Sequence, residues 1–142
     1  MRVEQYKEKL LNVIIDLIEN KGVTQFYSGF RGDFDRFCSS LIHGLKGSYP
    51  QIKNTLVLSY FPEVHDNSDS AFTLPEDFDD SVYLLERQVP KRLAIIETNK
   101  RLVNKADYIV AGVILHGGGA YLACEYAYKK KKPIISVIDG WK

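Results

Sequence analysis

Apolar positions recur along this chain with two different periods. From residue 3 to 21, Tyr6, Leu10, Val13, Ile14, Leu17 and Ile18 return about every 3.6 residues. That spacing predicts an amphipathic helix, and Lys21-Gly22 supplies its stop. A second stripe, Phe34, Phe37, Leu41 and Leu45, predicts a helix over 33–47 with Asp33 as N-cap. Short apolar runs lie between and beyond these stripes. Residues 24–28, 55–60, 82–85, 108–115 and 133–138 read as strands, and 55–60 is apolar enough for burial on both faces. Pro90 fits the first turn of a helix reaching about residue 105, and 120–130 reads as the last helix.

The resulting order is α-β-α-β-β-α-β-α-β in one domain spanning 1–142. Strands that mostly alternate with helices imply an α/β fold: a mostly parallel five-stranded sheet in a three-layer, Rossmann-like sandwich. The link between the second and third strands shows no clear helix, so an antiparallel pair there is the alternative. Right-handed crossovers allow strand order 3-2-1-4-5, which puts the reversal of winding between the first and fourth strands. Residues 61–80 have no periodicity and are rich in Asp, Ser, Glu and Pro, as functional or disordered loops often are.

Two glycine-rich turns sit at that reversal. Ser28-Gly29-Phe30-Arg31-Gly32-Asp33 follows the first strand, and His116-Gly117-Gly118-Gly119-Ala120 follows the fourth. Each joins a strand to a helix. Glycine lets backbone approach a ligand closely, and the free N–H groups of a helix start attract anions. Together the turns predict a phosphate cradle, with Arg31 as a bidentate partner. Neither is a GxGxxG dinucleotide fingerprint or a GKS/GKT P-loop. Asn99 is a poor helix former in the middle of a helix, which makes it a further ligand candidate. His116, just before the second turn, is a candidate phosphate donor or an acid or base, a lone histidine beside a turn being otherwise a packing or solvated residue. Asp33 and Asp35 are also explained by the helix-start preference for acids, and Glu125 by an i,i+4 pair with Lys129.

Composition narrows the classes. Nineteen Lys and Arg stand against eighteen Asp and Glu, a net charge of +1, which gives no overall basic field for nucleic acid. Cys38 and Cys124 have no CxxC spacing, and three scattered histidines make no zinc pattern. A reduced, cytoplasmic setting is expected, with no cofactor, no metal and no membrane-spanning run. The expected partner is a small nucleotide or other phosphorylated molecule, rather than a membrane or nucleic acid. A homodimer through a helix face is compatible with it.

The segment Phe26-Tyr27-Ser28-Gly29-Phe30-Arg31-Gly32-Asp33-Phe34-Asp35 resembles the opening motif of the SLOG superfamily, which groups DprA/Smf-like and LOG-like Rossmannoid domains. The nearest branch in pattern is the short YpsA-like, DUF1273-type bacterial or mobile-element proteins. Asn99 through Asp107, Gly118-Gly119-Ala120-Tyr121, Glu125-Tyr126-Ala127 and Lys132-Pro133-Ile134 extend the likeness over about residues 24–138. The resemblance implies nucleotide binding through two glycine-rich loops, as a sensor or, in the LOG branch, with phosphoribohydrolase activity. LOG enzymes carry PGGxGTxxE; aligned on Gly119, this chain has Ala120 at the threonine and Ala123 at the catalytic glutamate. Alanine can neither attack a sugar nor stabilise an oxocarbenium-like centre. Thr98 stands where an arginine is favoured. The sequence therefore favours binding over catalysis. An N-glycosidase-like hydrolase and a non-catalytic assembly module are the alternatives.

Overall fold

The computed structural model describes residues 3–29, 32–59, 73–85, 89–112 and 119–137. A 3-10 turn at Val3–Tyr6 leads into α1 (Lys7–Glu19). The predicted helix thus starts as a 3-10 turn, and Tyr6, at the cap of α1, makes no side-chain hydrogen bond to the first free amides. The rest runs β1 (Gln25–Ser28), α2 (Asp33–Leu45), β2 (Lys53–Leu58), β3 (Asp80–Tyr83), α3 (Lys91–Lys105), β4 (Ile109–Ala111), α4 (Gly119–Lys129) and β5 (Ile134–Ser136).

The fold is mixed α/β. The described strands form two parallel ladders, β1-β2-β3 and β4-β5. β3 is parallel to β2, which resolves the alternative left open by the sequence. The five strands do not pair as one continuous ladder, since no β1–β4 pairing occurs among the described residues. β2 lies between two partners, and Asn54, Thr55, Leu56 and Val57 are all buried, as its apolar run suggested.

Two polar residues shift the strand starts from their expected places. Lys53 donates its amide to the Thr24 carbonyl at 2.8 Å and pairs with Gln25, so β2 begins before its apolar run. Asn54 and Asp79 then bond reciprocally. The Asn54 amide donates to Asp79 Oδ2 at 2.8 Å, and the Asp79 amide to the Asn54 carbonyl at 2.8 Å. This clamp brings β3 into register at Asp80, opposite Thr55. Lys46 pairs with the same Asp79 carboxylate.

The two ladders share one core. Leu10, Ile14 and Ile18 of α1 and Ile42 of α2 cluster with Ile52 and Val137, and Phe26 of β1 and Val110 of β4 pack on the same cluster. The next residue of β4, Ala111, turns to the opposite face and meets Tyr121 and Cys124 of α4 and Ile134 of β5. β4 thus has α1 and α2 on one face and α4 on the other. Fully burying one leucine or isoleucine is worth about 1.5–3 kcal/mol, so this shared cluster is a large part of what holds the ladders together. Among the described residues, no helix is long and apolar enough to cross a membrane.

Candidate functional site

β1 ends at Ser28, and Gly29 follows it. The Ser28 and Ser39 hydroxyls lie 3.0 Å apart, and Ser39 Oγ donates to the Asp35 carbonyl at 2.9 Å. A hydroxyl has one proton, so Ser28 is the donor to Ser39. Ser39 is fully buried, and this relay fixes the end of β1 against the first turns of α2.

That first turn reaches two strand ends at once. A Cβ built on Gly29 would lie 3.3 Å from Asp35 Oδ2, whereas one built on Gly112 would run into the Phe34 ring. Gly112 directly follows β4. Two consecutive residues of α2 therefore touch the exits of β1 and β4. Only glycine permits the second approach, because any side chain at residue 112 would occupy the space of the ring.

The N-cap of α2 is Gly32, with extended backbone at φ −106° and ψ 164°, and its carbonyl accepts from the Arg36 amide at 3.1 Å. This corrects the expectation for Asp33, which is the first helical residue. Its exposed carboxylate pairs with Arg36 Nη2 at 3.0 Å. A glycine cap has no side-chain oxygen to occupy the first amides of the helix. α4 begins at Gly119, with Ala120 next, so the third glycine of the second turn opens that helix. Arg31, His116, Gly117 and Gly118 lie outside the described residues.

Asp35 carries the least expected property at this end of the molecule. Burial raises its carboxyl above the ordinary carboxylate range, and the nearby Arg36 guanidinium opposes this only in part. From sequence alone this acid has an ordinary explanation, the helix-start preference. The available signal was its place three residues after Gly32, on the turn that packs back on β1. One turn on, burial and then the Asp35 charge push the Cys38 thiol up to about 12, which makes it a packing residue and not a nucleophile.

Asn99 lies half-buried in the middle of α3, beside Thr98, which is 1 % exposed. Thr98 Oγ1 is buried without a hydrogen-bond partner. The expected Glu125–Lys129 ion pair is not formed; the described ion pairs are Arg36–Asp33, Lys46–Asp79 and Lys53–Asp80. Among the described residues, no three His, Cys, Asp or Glu side chains gather as metal ligands. No known family model matches the chain, and no curated protein matches it.

Proposed function

We propose that this protein binds a nucleotide or nucleotide derivative as a sensor-type module, using the two glycine-rich turns as a phosphate cradle. In this reading the two ladders are the halves of a Rossmann-like sheet of order 3-2-1-4-5, and the ligand lies where the winding reverses. The supporting observation is the first turn of α2: Phe34 against Gly112 and Asp35 against Gly29 bring the exits of β1 and β4 together. Ser28, Gly29, Gly32 and Asp33 border this place, while Arg31, His116 and the glycines up to Gly119 and Ala120 supply donors from the turns. Asn99 is the contact from α3. The SLOG-like sequence motifs support the same ligand class.

The test is thermal unfolding with nucleoside mono-, di- and triphosphates, ADP-ribose and NAD fragments. A ligand present at 100 times its dissociation constant adds about 2.7 kcal/mol of stability. A specific shift with one ligand class supports the reading, and no shift at millimolar concentration of any of them contradicts it.

One observation favours a second reading, cleavage of a nucleotide N-glycosidic bond. Asp35 lies beside Gly29, and burial favours its protonated form, so it is the acid such a step would draw on. Ala123 at the place of the LOG-type glutamate counts against it. Release of free base from nucleoside monophosphates, abolished by Asp35→Asn, is the result this reading requires.

A further inference from the structure

The near-neutral total charge conceals a strong segregation. Residues 91–132 hold nine Lys and Arg against three Asp and Glu, while the other 100 residues hold ten against fifteen. Structure gathers the positive charge further. α3 and α4 pack on each other, and their C-terminal ends share a set of contacts. Lys100 of α3 and Lys130 beyond α4 both lie over the Tyr126 ring, 5.7 and 5.5 Å from its centroid. The Tyr126 hydroxyl and the Asn104 side chain are hydrogen-bonded, 2.9 Å from Asn104 Nδ2. Lys132 Nζ donates to the Asn104 carbonyl at 3.2 Å. Lys105, the last residue of α3, stands apart from this group, its ammonium 5.6 Å from the centroid of the Tyr27 ring. None of these lysines is in an ion pair among the described residues. The patch precedes β4 and β5, whereas the candidate nucleotide site lies at strand exits.

A backbone feature argues that the patch is more than helix-end electrostatics. α4 closes in a Schellman pattern, with Lys132 N–H donating to the Ala127 carbonyl and Lys131 N–H to that of Tyr128, both at 3.0 Å. The left-handed position in that pattern belongs to Lys131, at φ 59°. After α1 the chain puts Gly22 in the left-handed region, at φ 69°. A lysine there is strained where glycine is not. One or two cations in the last turn would satisfy the helix dipole. Four consecutive lysines, one of them strained, exceed that need, and such strain gathers where function requires a side chain.

We infer that this surface binds the phosphate backbone of nucleic acid, independently of sequence. Ammonium groups spaced along two adjacent helix ends meet successive phosphates. A nucleic-acid strand presents its charges at a regular short spacing to such a run of lysines, which an acidic protein surface does not.

The experiment is fluorescence anisotropy with labelled 20-nucleotide single strands and duplexes across a salt series. Binding is expected to weaken with salt, each lysine contact contributing about one unit to the log–log slope. Changing Lys100, Lys130, Lys131 and Lys132 together to Gln should weaken binding at least about tenfold at low salt and flatten the slope. Lys7→Gln with Lys9→Gln, on α1, should leave binding unchanged. Lys131→Gly separates function from folding: it should raise Tm while weakening binding. Excess mononucleotide should not displace the oligonucleotide, so a failure here is distinct from a failure of the nucleotide site. The inference is overturned by absence of binding at 50 mM salt, by binding that survives the fourfold change, or by equal binding of polyglutamate or anionic vesicles.

Discussion

The Phe34 ring lies against the backbone of Gly112, in the space a side chain at residue 112 would need. The contact joins the first turn of α2 to the end of β4, across two ladders that share no described hydrogen bonds. With Val110 and Val137 packed on the α1–α2 cluster, it holds the β4–β5 pair against the helices that also pack on β1. Gly112→Ala is therefore expected to destabilise the protein by about 1–3 kcal/mol, as overpacking does. Phe34→Leu in the same chain should recover part of that loss, a coupling of at least about 0.5 kcal/mol measured by urea unfolding of the two single variants and the double variant. Strict additivity would show that the ring and the glycine do not constrain each other.

Asp35 should make stability depend on pH in the opposite sense to an ordinary paired acid. Its folded pKa lies above the ordinary 3.8, so its contribution is favourable below that value and is lost as pH rises through the folded pKa. Above that folded pKa the ionised group costs stability. Asp35→Asn is expected to have a higher Tm than the parent at pH 7, with the difference shrinking toward pH 3.5. Equal Tm values at both pH values would show that the carboxyl is not desolvated.

Asp79 should behave the other way. Partial burial raises its carboxyl, but the Lys46 hydrogen bond, the Asn54 amide and the Lys46 and His43 charges outweigh this and leave it below the ordinary 3.8. Its contribution is present above that value and is lost as pH falls through the folded pKa. Asp79→Asn should cost about 1–2 kcal/mol at pH 7, mainly through the clamp that registers β3, and less in acid. Chemical denaturation at the two pH values measures the difference.

Thr98 tests a buried polar atom with nothing to bond. Replacing it by the isosteric Val removes the orphaned Oγ1, and the variant should be as stable as the parent or more so by up to about 2 kcal/mol. A clear loss in urea unfolding would mean that the hydroxyl serves the fold.

The order of helices and strands is legible in the sequence because two periods dominate it, and the stripes in α1 and α2 are the residues that build the core. Register is less legible. The start of β3 is set by Asp79 bonding to Asn54, 25 residues away, and no local pattern announces such a pair. Gly112 is silent for the same reason. An isolated glycine inside an apolar run reads as strand, and its need to be glycine arises from a ring on a distant helix. Asp33 and Asp35 look equivalent as helix-start acids. Only packing separates them, leaving Asp33 in solvent with Arg36 and turning Asp35 toward Gly29. The lysine patch is visible as a run but not as a surface, since Lys100 and Lys130 meet only because α3 and α4 pack together.

The most direct measurement is an amide chemical-shift titration of the isotope-labelled protein with nucleoside phosphates and ADP-ribose. One ligand should move the amides of Gly29, Gly32 to Asp35 and Gly119 to Tyr121 together, along a single saturation curve. Shifts confined to one of the two turns, or absent from both at millimolar ligand, would contradict a shared site at the exits of β1 and β4.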